Sequence, residues 1–320
     1  METNIIENKL ENKEVKVNNA GAIKNNDLQI KTIIIDMGNT QIKVTDGVRE
    51  EVYPSTYSKE TEKFKEKLKY VCINDEYTYF QKGDYNLTYS KVRKDFTATI
   101  AYAIAKITED IDILNVNLVL LLPIDQMKNQ GELIEALQGK ELQYTARINK
   151  TMEKLVVINR VVVCPEGMSS WWTCSEEEKK NFVMLVDIGG RTTNIIGMKA
   201  GEMAILDTFE TGMLNLFERL KNKSGKNYPL ADIEHHIENK DITLLKKDKA
   251  EFLMEIIDQM NVKRYYLDNF DSVIFTGGGS AFLSEIIKTK LPSHCRLHEN
   301  PIKSNMMGAM LLGKQILGAN

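Results

Sequence analysis

A glycine-tipped β-hairpin pattern that occurs twice is the feature that most constrains the fold of this 320-residue chain. In residues 182–196 an apolar strand runs into Asp187, and a Gly-Gly turn, two threonines and a second apolar strand follow. The same design stands 151 positions earlier, in residues 32–44, around Asp36. Backbone N–H groups at such a tip can surround phosphate oxygens. The repeat predicts two related half-molecules that face one shared nucleoside triphosphate, which the chain binds and hydrolyses.

The composition predicts a globular protein, and the length predicts two domains. The chain is long for a single core, and it is 42% hydrophobic and 27% charged. The net charge of −3 gives no indication of the basic stripe that is typical of proteins that bind nucleic acid directly. The four cysteines are scattered without a Cys-x-x-Cys pair, so we expect reduced thiols in the cytoplasm rather than a zinc site.

Neither a membrane span nor a secretory segment is expected. No apolar run approaches the roughly 20 residues that cross a bilayer. Residues 1–31 carry balanced charges and no continuous apolar core, which predicts a flexible tail rather than a signal peptide.

Strands that alternate with helices predict an α/β architecture. A continuous apolar run at 117–123, ended by a proline, is typical of a strand that is buried on both faces. Further strands are predicted at 155–163 and 272–276. Helices are predicted at 59–69, 95–109, 125–137, 250–269 and 304–317. Two more are predicted, one that follows 210–214 and reaches about residue 223, and one that begins at Ser280 as its cap. The helix at 304–317 is apolar on much of its surface, so we expect it to pack on the first domain.

Two aspartates at strand ends are the predicted metal ligands. Asp36 and Asp187 each end an apolar strand, where ligands collect in α/β sheets. They are suited to hold Mg²⁺ largely through water, because Mg²⁺ loses its hydration shell reluctantly. Lys43 on the returning strand can place a point charge on the phosphates. The hairpin residues predicted to contact the nucleotide are Gly38, Asn39, Thr40, Gln41, Gly189, Gly190, Arg191, Thr192 and Thr193.

A third glycine-rich turn follows the buried strand at 272–276. Gly277, Gly278 and Gly279 allow the backbone to approach a base or ribose, and the helix N-terminus that follows favours anions. The chain has neither the Gly-x-x-x-x-Gly-Lys-Ser/Thr motif of P-loop enzymes nor a Gly-x-Gly-x-x-Gly motif.

Two phosphate hairpins followed by an adenosine turn, in this order and spacing, resemble the actin, Hsp70 and sugar-kinase superfamily. Within it the chain is most similar to the ParM-like bacterial actins that segregate plasmids. The likeness extends from about residue 32 to 318. The segments that carry the closer likeness are 121–123, 161–166, 185–190, 276–279 and 305–310.

The resemblance implies an α/β fold of the actin-like (ribonuclease H-like) type, an ATPase fold of two domains with a nucleotide cleft between them. We expect residues 32–165 together with 300–320 to form the first domain, with a small insertion at about 48–94. Residues 166–299 then form the second domain, after the flexible tail at 1–31.

Further site residues follow from the resemblance alone. Glu166 stands where ParM-like proteins place the glutamate that orients the attacking water, so the implied catalytic residues are Glu166, Asp36 and Asp187. The stretch Thr211, Gly212 and Met213 occupies the family's segment near the ribose and base.

Two positions depart from the family's pattern. Arg191 stands where relatives often carry a small or hydroxyl residue, and Asn194 stands where many carry aspartate. Neither change removes a metal-binding aspartate.

The implied function is a filament-forming ATPase that uses ATP or GTP with Mg²⁺. Copies of the chain would assemble head to tail, and hydrolysis would weaken their contacts. The resemblance also implies a ParR-like DNA-binding adaptor, through which the chain touches DNA only indirectly. One alternative is a small-molecule kinase, because residues 36–40 resemble the opening motif of type III pantothenate kinases. Another is an adaptor or cell-division actin that hydrolyses nucleotide poorly.

Overall fold

The computed structural model describes residues 30–60, 67–85, 88, 90 and 96–318. The predicted helix at 59–69 lies mostly outside these residues. So does the predicted tail at 1–31, except for its last two positions, and the second of them, Lys31, belongs to the first strand rather than to a flexible tail. The described strands are β1 (Lys31–Met37), β2 (Gln41–Thr45), β3 (Glu50–Pro54), β4 (Thr56–Ser58), β5 (Lys69–Ile73), β6 (Glu76–Tyr85), β7 (Ile113–Leu122), β8 (Glu141–Arg147), β9 (Thr151–Pro165), β10 (Phe182–Ile188), β11 (Thr193–Lys199), β12 (Glu202–Phe209), β13 (Ser272–Thr276) and β14 (Cys295–Leu297).

Helices connect these strands and cover the sheets. The described α-helices are α1 (Phe96–Ile107), α2 (Gln130–Leu137), α3 (Met213–Ser224), α4 (Ile233–Glu238), α5 (Lys246–Val262), α6 (Gly277–Phe282), α7 (Ser284–Lys290) and α8 (Ser304–Leu317). Short 3₁₀ helices lie at Ile124–Asn129, Met168–Thr173, Glu178–Lys180, Leu230–Asp232 and Leu267–Asn269. None of the described helices is long and apolar enough to cross a membrane.

Two sheets repeat one topology, which agrees with the predicted α/β architecture and its two related halves. The second sheet has the order β12-β11-β10-β13-β14, and the first contains the equivalent order β3-β2-β1-β7-β9. In each of these five-strand orders, neighbours among the first three strands run antiparallel to each other. Each of the last two strands runs parallel to the strand before it. Because β1 and β10 occupy the same central place, the two hairpins take equivalent positions in the two halves.

The first sheet continues beyond this core through β8, which lies outside the predicted insertion at 48–94, and then into the insertion strands β5, β6 and β4. Strands β8, β5, β6 and β4 extend the sheet from β9 outward. Strand β3 lies in the same stretch of sequence but pairs with β2 and so completes the core order. The core of the first sheet comes from residues 31–165 and the second sheet from 182–297. The domain boundaries at 165/166 and 299/300 remain a proposal that this arrangement favours.

Apolar side chains bury both faces of the first sheet. Helix α1 packs on one face, and nine of its twelve residues are buried, so it is a core helix rather than an amphipathic surface helix. Helix α8 packs on the other face through Met306 and Ala309 against Ile34 and Val119. This is the position that its apolar surface predicts. The second sheet has its own core with α3, α5 and α7.

Two predicted helix starts were wrong for local reasons. Helix α5 begins at Lys246 instead of residue 250, because Asp248 accepts a hydrogen bond from the N–H of Leu245 at 2.8 Å and caps the first turn. It also ends early, at Val262, where Arg264 adopts a left-handed φ of 64°. Ser280 is not a cap, because it lies within α6, whose N-cap is Thr276.

Candidate nucleotide-binding site

A cavity of about 250 Å³ lies where the two hairpins and the third glycine turn converge. Residues of both sheets line it, so it is a cleft between the two halves of the fold. The predicted site residues that line it are Asp36, Gly38, Asn39, Thr40, Gln41, Lys43, Glu166, Asp187, Gly189, Gly190, Thr192, Met213, Gly277, Gly278 and Gly279.

The first hairpin places an ion pair at the cavity. Asp36 on β1 and Lys43 on β2 face each other across the antiparallel ladder, and the Lys43 Nζ donates to Asp36 Oδ2 at 2.9 Å. Burial lowers the pKa of Lys43, but the ion pair with Asp36 outweighs it, with support from Asp187 and Glu166, and the pKa is raised. Lys43 is therefore a permanent cation at the point where phosphates would enter.

The second hairpin repeats this geometry with an amide in place of the ammonium. Asp187 on β10 faces Asn194 on β11 in the equivalent ladder position. Asp187 is 5% exposed, and the Nδ2 of Asn305 donates to its Oδ2 at 2.7 Å. Burial raises the pKa of Asp187, while the Asn305 hydrogen bond and Lys43 oppose that rise.

The two hairpin tips touch each other across the cleft. A methyl group built on Gly190 would lie 2.6 Å from Cγ2 of Thr40, closer than two carbon atoms can approach. The turn of the first hairpin leaves no room for a side chain at Gly38, since a methyl group there would meet the Gln41 carbonyl oxygen at 2.3 Å. Glycine at the second tip therefore permits the approach that brings the two halves of the site together.

Four predicted contact residues do not line the cavity: Arg191, Thr193, Thr211 and Gly212. Thr193, Thr211 and Gly212 instead help to hold the second hairpin in place. The hydroxyl of Thr193 donates to the carbonyl of Thr211 at 2.7 Å. A methyl group on Gly212 would meet the Gly190 carbonyl oxygen at 2.6 Å.

The N-terminus of α3 also contacts this hairpin, through N–H donors that the helix cannot satisfy internally. The N–H of Met213 donates to the Gly189 carbonyl at 3.0 Å, and that of Leu214 to the Gly190 carbonyl at 2.7 Å. These bonds fix the direction of the hairpin's peptide groups.

The third turn lies directly against Asp187. Gly277 has a φ of +85°, and a methyl group there would meet Asp187 Oδ1 at 2.3 Å and the Ile188 carbonyl oxygen at 2.4 Å. Only glycine fits this backbone conformation and this space. Helix α6 begins at Gly277, so its first turn, and not a loop before it, faces the cavity.

Glu166 follows β9 at the crossover from the first sheet to the second. Its N–H donates to the Leu122 carbonyl at 2.8 Å, which holds the end of β9 beside the end of β7. The carboxylate is half-buried and lines the same cavity as Asp36 and Asp187. The next residue, Gly167, has a φ of +70° and packs against Ile196 of the second hairpin.

Sequence reasoning missed part of the lining: Asn194, Phe217, Glu234, Ala281, Phe282, Ile302 and Asn305. Phe217 and Phe282 form an edge-on ring pair with centroids 6.1 Å apart, and the Phe217 ring is buried in the core of the second sheet. In sequence they fall within predicted helices and outside the glycine-rich motifs. In sequence Asn194 stands out only as a departure from the family's pattern, although its pairing with Asp187 follows from the hairpin register.

The charges at the hairpin end suit an anion that arrives with a divalent cation. Three carboxylates, on Asp36, Asp187 and Glu166, stand against the single ammonium of Lys43, which leaves two excess negative charges. Within the described ranges, no three His, Cys, Asp or Glu side chains form a metal cluster. Two aspartates would hold Mg²⁺ only together with water and phosphate oxygens, which is how Mg²⁺ is commonly bound.

Comparisons with known proteins agree with this architecture. The family model of the N-terminal domain of actin-like proteins matches residues 35–168. No curated protein sequence matches the chain. Many solved structures do, among them two ParM proteins and an archaeal actin homologue.

A 15-stranded ParM filament from Clostridium botulinum is 19% identical, covers 90% of this chain and 100% of its own, and has a TM-score of 0.72. The archaeal actin homologue Ta0583 in complex with ADP is 14% identical, with 89% and 100% coverage and a TM-score of 0.73. The apo pSK41 ParM protein is 16% identical, with 90% and 98% coverage and a TM-score of 0.68. These likenesses confirm the predicted actin-like fold, which the compared ParM structures share.

Proposed function

We propose that this chain, which has the fold of ParM-like bacterial actins, is a cytoplasmic filament-forming ATPase. It binds ATP or GTP with Mg²⁺, assembles head to tail, and moves plasmid DNA apart through a ParR-like adaptor bound to the DNA. The observation that carries the proposal is the meeting of two hairpin tips around Asp36, Lys43 and Asp187 in one cleft.

Each group at the cleft has a chemical task in this proposal. Peptide N–H groups of the hairpin tips and the Lys43 ammonium bind phosphate oxygens. Asp36 and Asp187 would hold a hydrated Mg²⁺, which would supply positive charge to the phosphates. Glu166 accepts a proton from the attacking water and orients that water toward the terminal phosphate.

In this proposal, copies of the chain assemble into a fibre because the contact between successive copies does not close into a ring. A head-to-tail interface between identical copies gives an open fibre unless its rotation happens to close a ring. The triphosphate and diphosphate states favour different angles between the halves, since the hairpin tips come from both sides of the cleft. The filament structure with 19% identity and full coverage of its own chain supports this part of the proposal.

The test is light scattering recorded together with phosphate release after addition of Mg·ATP or Mg·GTP. A rise in scattering followed by slower phosphate release supports the proposal. Phosphate that passes only to an added acceptor, without assembly, supports the small-molecule kinase instead. Assembly without release of phosphate points to the weakly hydrolysing actin.

A binding-site variant provides the control. Asp187→Ala removes a metal-binding carboxylate and should abolish both signals at nucleotide concentrations that saturate the wild type. If this variant assembles and hydrolyses like the wild type, the cleft is not the nucleotide site.

A further inference from the structure

Asn305 lies outside the three motifs, yet its side chain joins two of the functional segments. It is 7% exposed and stands in the first turn of α8. Its Nδ2 donates to Asp187 Oδ2 at 2.7 Å. Its Oδ1 accepts from the N–H of Gly167 at 2.8 Å and from the Ser170 hydroxyl at 2.7 Å.

The chemistry of these partners fixes the orientation of the amide. A backbone N–H can only donate, so the Gly167 partner must be the carbonyl oxygen of Asn305. An ionised carboxylate can only accept, so the Asp187 partner must be the NH₂ group. Reversing the amide would break both hydrogen bonds at once.

Helix α8 provides a rigid base for this side chain. Its Gly308 lies so close to the segment at 168–173 that a methyl group there would overlap the Ser169 carbonyl. The preceding residue, Ser304, hydrogen-bonds to Ser170 at 2.9 Å and to Thr276, immediately before the third glycine turn. The helix itself is packed on the first sheet.

We infer that Asn305 is a positioning residue for the metal site. It holds Asp187 in the orientation that the magnesium-bound nucleotide requires and ties that carboxylate to Gly167, the neighbour of Glu166. The inference rests on the proposed function. Hydrogen-bond partners of metal-binding carboxylates set ligand orientation, and their loss costs about 10- to 100-fold in metal affinity.

The experiment is a titration of Mg²⁺ into protein with ATP or GTP, whichever the wild type binds, with nucleotide binding measured by calorimetry. Asn305→Ala should raise the Mg²⁺ concentration at half-saturation about 10-fold or more. Ser170→Ala is the matched control, because it removes one hydrogen bond from the same amide, together with the bond between Ser170 and Ser304, and leaves the bond to Asp187 intact. It should shift the half-saturation concentration less than about 2-fold, in contrast to loss of the bond to Asp187.

A double-mutant cycle tests whether Asn305 acts through Asp187. Adding Asn305→Ala to Asp187→Asn should weaken Mg²⁺-dependent binding no further, because the two changes disrupt one unit. Equal shifts for Asn305→Ala and Ser170→Ala would overturn the inference, as would wild-type magnesium dependence in folded Asn305→Ala.

Thermal melting without nucleotide checks that each variant folds. Should Asn305→Ala not fold, the side-chain amide resonances of wild-type Asn305 serve instead. They should move when Mg²⁺ is added to the nucleotide-bound protein, and unchanged resonances would overturn the inference. A wild-type protein that shows no Mg²⁺-dependent nucleotide binding overturns the proposed function itself.

Discussion

Glu166 is the single residue on which the rate of hydrolysis should depend most. Its carboxylate lines the cleft, while its backbone is held by the Leu122 carbonyl, so truncation leaves the local chain in place. Glu166→Ala should slow phosphate release about 10²- to 10⁴-fold, the usual contribution of a general base. Light scattering should still show assembly. Glu166→Gln keeps the shape without the base and should be equally slow, whereas wild-type turnover in either variant would exclude the assigned role.

His298 should make stability depend on pH. Its ring is buried, with Nδ1 accepting the Asn300 N–H at 3.0 Å and Nε2 lying 2.8 Å from the Thr173 hydroxyl. Burial, with Arg296 nearby, lowers the pKa of His298 below its ordinary 6.5. The unfolded chain therefore takes up this proton at a higher pH than the folded protein, and the stability gained from a neutral ring is lost as pH falls below 6.5.

Urea unfolding across a pH series measures this effect. The free energy of unfolding should decrease from pH 6.5 downward in the wild type, and His298→Gln should flatten that part of the profile. His235→Gln, at an exposed histidine, should retain the wild-type slope. A wild-type slope in His298→Gln would contradict the assignment.

Helix α6 offers a comparison between adjacent glycines. Gly277→Ala forces a left-handed residue against Asp187 and the Ile188 carbonyl, so we expect a loss of about 2–4 kcal/mol in the free energy of unfolding. A methyl group on Gly278 meets no atom within 4 Å although Gly278 lines the cleft. Gly278→Ala should therefore leave the melting temperature unchanged and weaken nucleotide binding. Equal melting of the two variants would contradict this account of the turn.

The elements that could be predicted well from the sequence are those whose defining residues lie close together along the chain. Each hairpin carries its strands, its aspartate and its glycine turn within about fifteen residues, so the pattern could be read without knowledge of the fold. Asn305 gives no such signal, because it meets Asp187 only through the packing of α8, 118 positions along the chain. Glu234 and Phe282 likewise belong to helices whose sequence patterns say nothing about a shared cavity.

At the scale of the whole molecule, the two halves meet at the crossover near 165–170, at the hairpin tips and between Asn305 and Asp187. They meet again at the end of β6. There Asp84 accepts hydrogen bonds from the N–H groups of Leu230 at 3.1 Å and Ala231 at 3.0 Å. Tyr85 beside it packs against the core of the second sheet. The contacted turn leads into α4, whose Glu234 lines the cleft. Cleft geometry and the Asp84 contact should therefore be coupled.

Asp84→Ala tests this coupling. It removes two exposed hydrogen bonds to a charged acceptor, worth about 1 kcal/mol after solvent screening. Because the contact holds α4 across the cleft, nucleotide should dissociate about 5-fold faster, as converted from that free energy. Stopped-flow release of a fluorescent nucleotide measures the rate. Asp84→Asn keeps one acceptor oxygen and should fall between the wild type and Asp84→Ala. Asp84 does not line the cleft, so any effect of Asp84→Ala on release must act through this contact. A wild-type release rate in Asp84→Ala would contradict the prediction and show that the cleft opens without breaking the contact.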